Sequence, residues 1–200
     1  MMGHPVNRDA DSIIKAIPKD TIGCEIGVWE ANTSMKFWKL GLQHLYLVDS
    51  WSPIAYKNQP KNEHGSYEDY LKKYKKLTGE ATEGAFHKYY DKIYRKVVNK
   101  FKEANNVTIY RMTSKEFFES FTGQALDWVY VDGAHDYIGC LYDLEESRKI
   151  VKPGGKIFGD DYRWTNKNGK PGVTQAVDEF INKYGYNIKR YGLLQFEIGI

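Results

Sequence analysis

Cysteine is scarce, two in 200 residues, which excludes a small disulfide-built scaffold. Cys24 lies in an apolar run and Cys140 on an expected helix. Neither has Cys-x-x-Cys or metal-ligand spacing, so both are expected to be reduced and structural. No apolar stretch approaches the ~18 residues that cross a bilayer, and no membrane role is expected. The opening residues, MMGHPVNRDADSI, lack the charged start and apolar stretch of a secretory signal, so a cytoplasmic location is the expectation. Internal repeats and low-complexity tracts are also missing. A net charge of +3 is too small to argue for polyanion binding by itself.

What is present is a globular composition, 42% apolar and 15% aromatic, at a length that suits one domain over residues 1–200. Short β-like runs alternate with longer helix-like ones, an α/β pattern. Residues 11–17 read as a short helix stopped by Pro18. Thr21 to Ile26 reads as a buried strand ending at Gly27, followed by a helix over 33–40 closed by Gly41. Further strands are expected at 44–48, 107–110, 126–131 and 156–158, with helices between. Such connections cross over right-handed and build a doubly wound, mostly parallel sheet. Residues 186–190 and 194–198 suit an antiparallel hairpin at the sheet edge.

The connection between the second and third strands is long, a helical insertion at about 52–105. From Lys57 to Lys102 it holds twelve Lys or Arg against six acids, a net +6 by subtraction, interleaved with Tyr56, Tyr67, Tyr70, Tyr74, Tyr89, Tyr90 and Tyr94. One reading is a solvated helical pair with tyrosines packed beneath. The other is a basic, aromatic lid over the strand ends that recognises an anionic or sugar-like substrate. Exposed aromatics there could equally mark a contact in a homo-oligomer.

In a doubly wound sheet the turn after the first strand is where a cofactor approaches the backbone, and Gly27 supplies a residue without Cβ there. Asp49 ends the second strand, 22 residues beyond Gly27, where a carboxylate can accept from both hydroxyls of a ribose. Trp29 and Asn32 stand at glycine positions of a GxGxxG loop, leaving little room for a pyrophosphate and making a nicotinamide-dependent oxidoreductase the least favoured class. After the fourth and fifth strands come Asp132 with His135, then Asp160 with Asp161.

EIGVWEANTS, LYLVDSW, VDGAHDY and VKPGGKIFGDDY resemble, in order and spacing, the motifs of class I S-adenosylmethionine-dependent methyltransferases. The likeness is nearest to the small-molecule and sugar O-methyltransferases that include the macrolide-sugar enzymes, and more distant to catechol O-methyltransferase. It runs from about Ile22 to the final hairpin and implies a Rossmann-like seven-stranded sheet. It also implies that Glu25 and Gly27 hold the methionine portion of S-adenosylmethionine, that Asp49 takes the ribose, and that Ser114 contacts adenine. Capping of the helix that starts near Lys115 is an equal reading for Ser114. By the same resemblance Asp132, Asp160 and Asp161 are ligands of a divalent metal and His135 is a general base. The chain departs from the pattern at Ala31, where family members usually carry glycine.

Physical reasoning bears on the metal separately. Neighbouring strands lie about 4.8 Å apart, so acids at a shared carboxyl end can reach one ion, and without it three carboxylates would repel. An oxygen-only set favours Mg²⁺. The alternative is that Asp132 orients the cofactor while Asp160 and Asp161 cap the next segment, and that His135 bonds a loop carbonyl. The expected reaction is in-line displacement: a hydroxyl of a small-molecule or sugar acceptor, activated by the ion and by His135, attacks the sulfonium methyl with Asp132 and Asp160 beside it. Two other classes stay open. One is a nucleic-acid methyltransferase gripping phosphates with the insertion, against which stands the lack of an Asn-Pro-Pro-aromatic motif. The other is a non-catalytic S-adenosylmethionine-binding protein.

Overall fold

A computed structural model describes residues 10–57, 66–165, 169 and 171–200. The opening segment 1–9, and Lys61 and Glu63 of the insertion, lie outside the described residues.

Seven strands form one sheet: β1 (Ile22–Ile26), β2 (His44–Asp49), β3 (Val107–Arg111), β4 (Leu126–Val131), β5 (Val151–Gly159), β6 (Ile188–Tyr191) and β7 (Gln195–Gly199). Their order is β3-β2-β1-β4-β5-β7-β6. The pairs from β3 through β5 are parallel, whereas β7 runs antiparallel to both β5 and β6. The expected doubly wound sheet and carboxyl-terminal hairpin are both present, with β7 tucked inside and β6 at the edge. The order reverses between β1 and β4, and a crevice outside the carboxyl ends of such strands is where ligands bind.

Several bounds differ from the sequence reading: the first helix spans Ala10–Ile14 rather than 11–17, and the hairpin strands lie at Ile188–Tyr191 and Gln195–Gly199. The second helix spans Asn32–Trp38 rather than 33–40. The fifth strand begins at Val151, five residues early, because Val151 already pairs with Leu126. The Pro153-Gly154-Gly155 segment is an excursion inside the strand: pairing resumes only at Lys156 opposite Trp128, and Gly154 sits at φ 81°.

Alternation along the buried strands divides the core between the two faces. Trp128 and Tyr130 face one layer, which holds α1 (Ala10–Ile14) and α2 (Asn32–Trp38). Phe37 of α2 meets both rings edge-on, at centroid distances of 5.2 and 5.1 Å. Val129 and Val131 face the other layer, built from three helices introduced below with the site.

Within the insertion come α3 (Ile54–Lys57), α4 (Tyr67–Lys73), α5 (Lys75–Thr78) and the 18-residue α6 (Glu83–Lys100). Phe86, Tyr90, Ile93 and Val97 form one buried stripe at helical spacing on α6. The stripe packs into the core with Leu45, Leu47 and Trp51. Hence α6 is the crossover helix between β2 and β3 and part of the core; α3 to α5 are the added part. Lys88, Lys92, Arg95 and Lys96 lie exposed on its far side, as a solvated face would have them.

Candidate active site at the carboxyl ends of the strands

The loop leaving β1 crosses under the loop leaving β4. The Gly27 amide donates to Val48 O at 2.9 Å and the Asp132 amide to Ile26 O at 2.8 Å. Gly27 has φ 89°, and a Cβ there would stand 2.2 Å from the Asp132 carbonyl oxygen, so only glycine fits. Trp29 and Ala31 also take left-handed conformations, φ 51° and 59°, each at a cost of about 1 kcal/mol. The fully buried Ala31 thus occupies glycine's region of conformational space, where a residue with a Cβ is strained.

Asp49 ties this loop down. Its Oδ2 accepts from the amides of Val28 (3.1 Å) and Trp29 (2.9 Å), and its Oδ1 from that of Trp51 (2.7 Å). The Trp51 indole N–H in turn donates to Trp29 O at 2.9 Å. Burial raises the Asp49 pKa, and the three amides oppose that rise. Glu25, on β1, is buried and accepts a hydrogen bond from the Ser34 hydroxyl of α2. Burial pushes its pKa well above the usual range despite Ser34, and the charges of Asp132 and Asp49 add to the rise.

Ser114 is the first residue of α7 (Ser114–Ser120), and its cap is Thr113, whose hydroxyl accepts from the Glu116 amide in a reciprocal capping box. The capping role considered for Ser114 therefore belongs to Thr113. The Ser114 hydroxyl instead faces Asp143, a fully buried acid on α8 (Tyr137–Ile150) that sequence reasoning passed over. Burial raises the Asp143 carboxyl to about 7, with the Ser114 hydroxyl and the Ala134 amide opposing. Asp143 falls in line with the other inward residues of α8, Cys140, Leu144 and Ser147; an acid on that stripe was the available signal.

At the ends of β4 and β5 three side chains converge. His135 Nδ1 lies 3.1 Å from Asp161 Oδ2, and His135 Nε2 lies 3.6 Å from Asp132 Oδ1. One ligand atom from each of the three falls within 4.8 Å of the others. Asp161 is buried in a left-handed conformation, φ 62°. Asp160 is also buried, but its Oδ1 accepts from the Asp161 amide at 2.8 Å, and it stands outside the converging trio. The trio therefore pairs Asp132 and Asp161 with an imidazole, where an all-carboxylate set was expected. The Trp164 ring stands near-perpendicular to His135 at 5.9 Å. Behind His135, α9 (Gly172–Tyr184) presses its first residue onto the loop: a Cβ on Gly172 would lie 2.7 Å from His135 O.

A narrow glycine turn, an acid at the end of β2 and an acid-histidine group past β4 lie along one edge of the sheet, and residues 22–162 match the methyltransferase-domain family. The chain belongs to that family. It is a class I S-adenosylmethionine-dependent methyltransferase, and three solved structures show how widely the fold recurs. A Staphylococcus aureus protein described as a caffeoyl-CoA O-methyltransferase is 16% identical, with 98% of this chain and 86% of that chain covered and a TM-score of 0.61. The precorrin-6y C5,15-methyltransferase of Geobacter metallireducens is 14% identical over 100% and 93%, with a TM-score of 0.60. An N-methyltransferase of Bradyrhizobium japonicum, solved with S-adenosylhomocysteine, is 11% identical over 99% and 89%, at 0.59. No curated protein matches the sequence. Among the described residues no helix is long and apolar enough to cross a membrane.

Proposed function

We propose that this methyltransferase transfers the methyl group of S-adenosylmethionine to a hydroxyl of a small-molecule or sugar acceptor, assisted by a divalent metal ion. The convergence of Asp132, His135 and Asp161 at the carboxyl end of β4 and β5 carries the reading. Like charges so close favour a bound cation or a proton between them.

The residues fit both groups. Gly27 leaves a cradle that any Cβ would fill, and Asp49 retains lone pairs beyond its three amide bonds for a ribose hydroxyl. Glu25 and Gly27 would hold the methionine portion, Ser114 the adenine side, and Asp132 the rim between cofactor and acceptor. Asp132 and Asp161 would hold the ion, Mg²⁺ being suited to carboxylates, waters and substrate oxygens. S-adenosylmethionine, when bound, supplies an electrophilic methyl group, and a divalent ion lowers the pKa of a hydroxyl it binds. His135 takes the proton. Asp161 Oδ2, 3.1 Å from its Nδ1, would hold the ring in place. Asp160 steadies Asp161 through its amide.

The insertion supports an acceptor of sugar-like or aromatic character. Tyr56 of the insertion is 37% exposed and stacks on Tyr70 at 4.2 Å, and Trp29 of the cofactor loop is 39% exposed, so both offer rings to an acceptor. The test is turnover on a panel of catechols and sugars with and without a chelator. His135→Ala and Asp161→Asn should each lower kcat by about 10²-fold or more, and chelation should do the same. Wild-type rates in both variants and in Asp160→Asn would overturn the assignment.

A further inference from the structure

The outer face of α6 takes no part in the site at the strand ends. Lys88, Asp91, Lys92, Arg95, Lys96 and Asn99 line an open depression of about 490 Å³ along it, and the four cations among them are exposed. At intervals of three and four residues they share one side of the helix. From Lys88 to Asn99 the row runs about 16 Å, at 1.5 Å per residue.

The charge of this row is not compensated within the fold. Among the described residues none of the four cations forms an ion pair. The acid beside them, Asp91, is paired with Arg111. Arg111 ends the edge strand β3 opposite Asp49 in register, lies 4.7 Å from the Tyr94 ring and donates to Trp51 O at 3.1 Å. The basic row therefore meets the carboxyl edge of the sheet at Arg111.

The character of the face selects its partner. Protein interfaces are built around apolar and aromatic cores, and helices that lie on membranes turn an apolar face to the lipid. None of the six lining residues is apolar. The rings of α6 are engaged elsewhere, Tyr89 and Tyr90 against Trp29 and Tyr94 against Trp51, so the row offers no platform for unstacked bases. A small anion needs groups converging on one point, and these are spread along a line. A ligand with its own line of charges and its bases stacked inside fits: interfaces with duplex DNA are polar and strongly basic, and a major groove admits a helix.

We propose that the outer face of α6 docks duplex DNA through its phosphates, Lys88, Lys92, Arg95 and Lys96 neutralising about four of them while Asn99 donates an uncharged hydrogen bond. Contacts of this kind position a duplex without reading its sequence. The docking surface stands apart from the choice of methyl acceptor.

Fluorescence anisotropy with a labelled duplex of about 20 base pairs tests the proposal. Four phosphate contacts give a slope of about −3.6 for log affinity against log salt, a loss of about 150-fold between 50 and 200 mM. Changing Lys88, Lys92, Arg95 and Lys96 together to Gln should weaken binding at 50 mM salt by about 100-fold or more and flatten the slope. The same four charges removed at Lys19, Lys149, Lys189 and Arg190, also exposed, should change affinity by less than about threefold, since distant surface charges are screened. An equal loss in both variants shows bulk attraction and overturns the proposal. So does a wild-type protein that fails to bind the duplex, or that binds oligo-dT or phosphatidylserine vesicles more tightly.

Discussion

The two halves of the carboxyl edge solve the same electrostatic problem in different ways. On the β1–β2 side Asp49 is held by three backbone amides, so its charge is compensated within the fold and the loop it fixes is ready-made. On the β4–β5 side Asp132 and Asp161 face each other across His135, a group whose charge balance depends on a proton or an ion. A rigid cradle suits a cofactor that every turnover requires. A charge-sensitive group suits activation of the acceptor. This contrast is the physical content of the proposal that cofactor binding and proton removal belong to different halves.

The largest effect is expected where the halves touch. Gly27→Ala drives a Cβ against the Asp132 carbonyl and should cost about 2–4 kcal/mol in urea unfolding, with S-adenosylhomocysteine binding lost. Survival of binding would mean that the two loops are not a single unit. Next, Asp161→Asn should weaken divalent-ion binding about 10- to 100-fold while leaving 5′-methylthioadenosine affinity unchanged; Asp49→Asn should do the reverse. Both variants shifting both ligands would erase the distinction.

A smaller effect belongs to Asp143, behind the β4 loop. Burial raises its carboxyl to about 7 in the folded protein, above the ordinary value of about 4, so the folded state favours its neutral form. Stability from this group is complete below about pH 4 and is lost as pH rises through 7. Asp143→Asn should therefore melt higher than the wild type at pH 8, by on the order of 1–2 kcal/mol, with the advantage fading toward pH 4. A pH-independent difference would contradict the assignment. The smallest effect lies in the insertion: Tyr90→Phe removes the 2.6 Å hydroxyl contact with Tyr70 and should cost about 1 kcal/mol in thermal unfolding, with ion binding untouched.

The strands were legible because buried parallel strands read as compact apolar runs ended by glycine or acid, as at Ile26-Gly27 and Val48-Asp49. The true start of β5 was not, since Pro153 and two glycines read as a turn although the chain merely bulges there and Val151 is already paired. Thr113 could have been found, for Thr113-x-x-Glu116 is a capping box in plain sequence. The core role of α6 was hidden by charge: Phe86, Tyr90, Ile93 and Val97 have helical spacing, but lysines on the far face dominate the composition. Spacing put Asp160 and Asp161 together as metal ligands; that the left-handed Asp161 is the one beside His135 is a matter of backbone conformation that spacing does not show.

The most direct test of methyl-donor binding at the strand ends is titration of the protein with S-adenosylhomocysteine in a calorimeter, wild type beside Asp49→Ala. Saturable one-to-one binding by the wild type, lost or greatly weakened in Asp49→Ala, is the predicted result. Binding of NAD with none of S-adenosylhomocysteine, or equal affinity in both proteins, would contradict it.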